Sequence, residues 1–317
     1  MQQQLQKRLI FSGKMVVTLG LVFWLVVSVD WGGVKKELSD MTWYLLVTYV
    51  VLQLLGNMIS VRKWQIIASY KNLHFSLREG FFTYLTGAFV NNFLPSIIGG
   101  DAYRSLWLAK RSESKAAAVS TVVFDRFIGL WTTAILALIF SVFLWKYIPE
   151  SLPLLITLIA LVVFVVADMI ITHLYSLPSF QAWIKKYLFQ KLQRLLEEVI
   201  FFTEKKDIWV RTSLWSAAFA FVGIGLSNFS LFHALGSDIS FFPFLAAILL
   251  VTIVSNIPIS INNIGVKEWA YVAFFSLIGV SIETAVTVAL LSRFIQMIIS
   301  FIALPQYLRG KNKTEIV

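Results

Sequence analysis

The chain contains no cysteine, only three histidines, and little charge: Asp, Glu, Lys and Arg make up 14% of its 317 residues. Without thiols there is no disulfide, no thiolate nucleophile and no cysteine metal site. His74, His173 and His233 are far apart and make no HExxH pair. The sequence also lacks a P-loop, a GxSxG elbow and a close carboxylate pair with metal-ligand spacing. These absences argue against an enzyme, a resident cofactor or metal, and an ATP-driven pump within this chain.

What is present is apolar. Hydrophobic residues account for 58% of the sequence, and the mean hydropathy is +0.78. Several runs reach about 20 residues, enough to cross a bilayer core. Inside lipid such a run must satisfy its own backbone, so the spans are helices. The short alternating segments of a β-barrel are missing. The net charge of +10 would suggest nucleic acid in a soluble protein. Here the basic residues fall mostly in short loops, as the positive-inside rule expects, and no nucleic acid partner is called for.

Charge placement gives a topology with both termini cytoplasmic, in the cell membrane. Full spans are expected at about 9–29, 41–60, 116–145, 152–174, 208–234 and 282–304. The 30–40 loop has no basic excess and is expected outside. The polar, basic start of the chain is followed by no small-residue cleavage pattern, so the first span is read as retained. Between 178 and 206, apolar residues recur at helical spacing opposite a charged face, which predicts an amphipathic connector on the cytoplasmic surface. The expected organisation is one integral membrane domain over 1–317. It has a first half at 1–175, a second at 208–305, and a short basic tail at 306–317.

Two apolar segments do not fit a simple crossing. The first runs through Asn92, Pro95, Gly99, Gly100, Asp101 and Arg104. Proline removes a backbone donor, and the glycine pair permits angles other residues resist. Asp101 can cap a new helix with Arg104 on the same face. Basic residues flank this segment on both sides, which predicts a dip into the membrane and a return to the same face. The second segment, 241–280, carries Pro258, Asn262, Asn263, Gly265, Lys267 and Glu268, again Asn and Pro, then Ser and Gly, then charges opening a helix. Its flanks are expected outside. The fold class is therefore an all-α polytopic membrane protein. It has about six full transmembrane helices plus two broken re-entrant hairpins in an inverted-repeat-like arrangement. Paired broken helices entering from opposite faces point to a transport site at the midplane.

Ionisable groups inside spans are costly, commonly about 2.5–3.5 kcal/mol each, so each is a site candidate. Asp125 and Arg126 lie within the third span, and as sequence neighbours they face apart. Arg126 is expected to reach Asp101 or Glu268, either as a structural pair or as a phosphate contact. Arg104 suits a lipid phosphate, or merely sets topology. Glu268 binds a proton or a cationic headgroup, or pairs locally with Lys267 or Arg126. Arg293, midway along the last span, faces a cavity or a carboxylate.

At Asn92-Phe93-Leu94-Pro95 through Gly99-Gly100-Asp101-Ala102-Tyr103-Arg104, at Asp125-Arg126-Phe127-Ile128-Gly129-Leu130, and at Asn256-Ile257-Pro258-Ile259-Ser260 through Ile264-Gly265-Val266-Lys267-Glu268, the sequence resembles a known family. It is the lysylphosphatidylglycerol synthase transmembrane region, or flippase-like, family, which includes the lipid-translocating membrane part of the multiple peptide resistance factor. The resemblance spans essentially the whole chain. It implies movement of phospholipids or lipid-linked glycans between leaflets without a cofactor, with envelope glycosyltransferases as partners. The aminoacyl-transfer domain of the fused proteins is not expected from these residues, so lysyl transfer is not implied. Asn262 and Asn263 stand where the family is often glycine-rich. Two further readings remain open: a proton-coupled transporter of a small anion using Glu268 or Asp125, and a non-transporting scaffold for envelope-glycan synthesis.

Overall fold

A computed structural model describes residues 2–93, 99–175, 177, 190–203, 205–305 and 308, with side chains from Ser12 onward where placed. Pro95, the connector residues 178–189 and, apart from Leu308, the tail at 306–317 lie outside the described residues.

Among the described residues every regular element is a helix. In order, the helices are α1 (Gln2–Ser28), α2 (Trp31–Ser39), α3 (Trp43–Ser69), α4 (Leu77–Phe93), α5 (Gly99–Ala109), α6 (Lys115–Phe140), α7 (Leu152–Tyr175), α8 (Gln190–Thr203), α9 (Lys206–Phe219), α10 (Ser227–Ala234), α11 (Phe241–Ser255), α12 (Val266–Phe275) and α13 (Ile282–Ser300). Among the described residues, four continuous helical stretches are long and apolar enough to cross a membrane: 43–69, 115–150, 206–234 and 282–303. A fifth arises if α1 and α2, bent by 75° at their junction, form one span.

Three boundaries differ from the sequence-based expectation. Residues 31–39, expected as a loop, form α2, because Asp30 caps it by accepting the Gly32 N–H at 2.9 Å. The second span does not stop near Ser60. Val61, Trp64, Ile67 and Ala68 are fully buried at helical spacing and carry α3 on to Ser69. It ends where Asn72 turns left-handed, φ 56°, and Leu73 N–H bonds back to the Ala68 carbonyl. The described part of the connector, α8, docks into the bundle as well: Phe202 is buried and stacks on Phe124 of α6 at 4.8 Å.

Both broken segments fold back on themselves. Helix α4 packs along α5, and α11 along α12. In the first hairpin the two backbones nearly touch. A Cβ on Gly100 would lie 2.5 Å from the Gly87 carbonyl oxygen, so only glycine fits. Gly100 N–H also donates to Asn91 Oδ1 at 2.6 Å, closing the break. In the second hairpin, α11 is the axis of the bundle. All eight residues from Phe244 to Val251 are buried, as for a helix apolar on every side. Hydrophobicity alone does not hold helices together in lipid, so close packing must. Such a contact joins α3 to the π-helical turn at 220–226, where a Cβ on Gly56 would lie 2.6 Å from the Gly223 Cα.

Candidate functional site

The first hairpin is pinned to α6 by charge. Asp125 on α6 sits between Lys63 of α3 (Nζ–Oδ1 3.0 Å) and Arg104 of α5 (Nη2–Oδ2 2.8 Å). Tyr84 of α4 donates its hydroxyl to Asp125 Oδ2 at 2.7 Å. The Arg104 guanidinium lies between the rings of Trp64 and Tyr84, 4.5 and 3.8 Å from their centres. Its Nε is buried with no hydrogen-bond partner among the described residues. One turn away, Arg126 makes a two-pronged pair with Asp101, Nε–Oδ2 2.8 Å and Nη2–Oδ1 2.9 Å. Three cations thus meet two carboxylates, an excess of one positive charge.

The second break is held differently. Asn262, Asn263 and Gly265 have φ of 50°, 57° and 85°. Asparagine is one of the few side chains that enters this left-handed region readily, which accounts for two asparagines where glycine would also serve. Arg293 of α13 donates to the carbonyls of Asn262 (3.0 Å) and Asn263 (3.1 Å) and pairs with Glu268 at 3.0 Å. Glu268 in turn accepts the Gly265 N–H at 2.7 Å, capping α12. Lys267 turns the other way and donates to Ser292 Oγ at 2.9 Å. No carboxylate lies within 4 Å of its amine among the described residues.

Two adjoining polar chambers open between the hairpins. One, about 280 Å³, is lined by Lys63, Asn91, Gly100, Asp101, Arg104 and Asp125, among others. The other, about 390 Å³, is lined by Gln53, Asn228, Lys267, Tyr271 and Gln296, among others. Arg126, Asn57, Thr252 and Asn256 line both, so the two chambers adjoin at a shared wall. The Arg126 side chain is 56% exposed there, although its carboxylate partner is firmly held.

Of the residues singled out from sequence, the cavity gathers Gly100, Asp101, Arg104, Asp125, Arg126 and Lys267. Gly99 begins α5 beside it. Asn92 instead donates to Ser300 Oγ at 2.8 Å. Pro258 is exposed. Asn262, Asn263, Gly265, Glu268 and Arg293 build the second break rather than line the cavity. Lys63, which lies beyond the expected end of the second span at 60, and Tyr84 are site residues that the sequence does not single out. The signal for Lys63 was the apolar series Val61, Trp64, Ile67 and Ala68 running past it at helical spacing.

The fold and site define a polytopic, all-helical membrane protein with a charged cavity between two broken helix pairs. The chain belongs to the family described as the lysylphosphatidylglycerol synthase TM region, whose profile it matches over residues 11–303. It is similar to a UPF0104 membrane protein of Methanocaldococcus jannaschii, 25% identical over 267 residues, covering 78% of this chain and 79% of that protein. A UPF0104 membrane protein of Methanothermobacter thermautotrophicus is 23% identical over 307 residues, covering 90% and 91%.

Proposed function

We propose that this protein carries a phospholipid or lipid-linked glycan between membrane leaflets. Its anionic headgroup occupies the cavity while its hydrocarbon chains stay in the bilayer. The observation that carries this reading is Arg126, paired yet half exposed, lining both chambers of a cavity with surplus positive charge. An anion entering a low-dielectric cavity loses its hydration and needs a cation in its place. Arg126 supplies one in a planar fork suited to phosphate, and Lys267 supplies a second further along. Arg104, buried at the same wall, adds to its positive charge. The family's description names the membrane region of a phospholipid synthase, which agrees with lipid as the substrate class.

In this reading both termini are cytoplasmic, the protein resides in the cell membrane, and the two hairpins enter from opposite faces. No covalent step is assigned to any residue. The test is mass spectrometry of lipids that co-purify with the protein. An anionic phospholipid or phosphoglycan lipid is expected to be enriched over its share of the membrane, and depleted from Arg126→Ala and Lys267→Ala variants. Bulk lipid proportions in all three preparations would contradict lipid as the substrate.

A further inference from the structure

A third polar cavity, about 360 Å³, lies apart from the central one, between the end of α3 and the start of α9. Its α3 wall is Arg62, Gln65, Ile66 and Ser69, the i, i+3, i+4 and i+7 positions of one helical face. Leu73, His74 and Phe75, in the turn before α4, form its floor, and Arg211 of α9 closes it from the second half of the chain. Tyr70, also in the lining, donates its hydroxyl to Asp207 of α9, which fixes the two walls to each other.

The charges here are only partly balanced, by Asp207 one turn before Arg211 on α9. No carboxylate lines the pocket, and the Asp207 rim is occupied by Tyr70. Arg62 donates to the neutral amide of Gln65 at 3.2 Å. Neither Arg62 nor Arg211 has a carboxylate within 4 Å among the described residues. Two guanidinium groups and the imidazole of His74 therefore line this space with no carboxylate among the lining residues. The ordinary role of such arginines is to set topology, but topology needs no cavity. Basic pockets between membrane helices on the positively charged face suit phosphate headgroups, and guanidinium forks suit phosphate oxygens.

We propose that this pocket binds a phosphate-bearing anion, which bridges Arg62 of the first half and Arg211 of the second. The shared chemistry is a phosphate group, delivered by an anionic lipid headgroup or by soluble phosphate. Bound there, it ties α3 to α9 at a site separate from the transport cavity.

The chain has no native cysteine, so a Ser69→Cys variant of the full protein can carry a single environment-sensitive fluorophore in the pocket wall. In detergent it is titrated with dihexanoylphosphatidylglycerol, dihexanoylphosphatidylcholine and inorganic phosphate. A saturable emission change is expected that weakens with added salt. An Arg62→Gln, Arg211→Gln background with unchanged thermal stability is expected to raise the half-saturating concentration roughly tenfold. Response to phosphatidylglycerol alone assigns the lipid source; an equal response to inorganic phosphate assigns the soluble one. Equal responses to the glycerol and choline lipids, a salt-independent response, or the same response from a label at Glu113 outside the pocket would overturn the proposal. So would no saturable change with any probe. Salt dependence and the Glu113 control decide the matter even where the double variant does not fold.

Discussion

Asp101 and Arg126 are joined by two parallel bonds of 2.8 and 2.9 Å across 25 residues of sequence. Glu268 and Arg293 are joined across the same 25-residue spacing, at 3.0 Å. In each case the carboxylate sits in the first turn of the helix that follows a break, and the arginine lies within the next long helix. A helix N-terminus favours the carboxylate, and the arginine fixes that terminus against its neighbour. The two halves thus repeat one device, and they use it differently. Arg126 shows half its side chain to the cavity, whereas Arg293 spends its remaining donors on the carbonyls of the break.

That difference separates the two arginines by experiment. Arg293→Ala leaves Glu268, 2% exposed, without its cation and frees two carbonyls. Loss of one partner from a buried pair costs about 3–5 kcal/mol. A large drop in thermal stability in detergent is expected. Arg126→Ala leaves an Asp101 that borders the cavity, and a clearly smaller drop is expected. Equal destabilisation by both variants would assign Arg126 to structure alone.

The Lys63–Asp125–Arg104 cluster gives a coupled response. Asp125→Ala strands two buried cations, so its destabilisation should match that of a broken buried pair, about 3–5 kcal/mol. Lys63→Met made in the Asp125→Ala background should cost less than Lys63→Met alone. A double-mutant cycle on thermal or denaturant unfolding reads the difference. Strict additivity would show that the observed contacts do not carry the energy.

Much of this is legible in the sequence. Pro95 ahead of Gly99 and Gly100, and Pro258 ahead of Gly265, mark both segments in the sequence, because proline interrupts a helix and glycine allows the backbone to turn or approach closely. Asp101 is legible as one of two candidate partners for Arg126, the other being Glu268, since a carboxylate opening a helix and an intramembrane arginine each need an opposite charge. For Glu268 the sequence suggests Lys267 or Arg126, whereas its partner is Arg293, because adjacent residues on a helix point apart and sequence does not fix which face meets α13. Lys63 was lost for a different reason. A lysine near a span's end reads as a topology charge, and only packing of Trp64 and Ile67 shows that the helix continues inward past it.

The second break makes its own demand on residue type. Asn262 has φ 50°, so Asn262→Gly should leave thermal stability nearly unchanged. Asn262→Val should lower it by about 1–2 kcal/mol. Gly265→Ala should be worse, because its Cβ would fall 2.3 Å from Leu21 Cβ of α1 as well as straining φ 85°. Retention of stability in Gly265→Ala would contradict the close approach of α1 to the break.

Topology can be read with single cysteines in this cysteine-free chain. Ser112, after the first hairpin, is expected to react with an impermeant thiol reagent only from the cytoplasmic side. Ser237 and Ser281, on either side of the second, should react only from the opposite side. Labelling of Ser112 from outside would reverse the entry face of the first hairpin and separate the two breaks.

Transport itself is the most direct test. Purified protein in liposomes containing a fluorescent phospholipid is challenged with a reductant that bleaches only the outer leaflet. Wild type is expected to expose the inner-leaflet label to bleaching. Arg126→Ala, folded and reconstituted to the same density, is expected to lose most of that activity, while Lys110→Ala, an exposed loop cation, retains it. Bleaching by wild type no faster than in protein-free liposomes, or undiminished bleaching by Arg126→Ala, would contradict lipid passage through the Arg126 cavity.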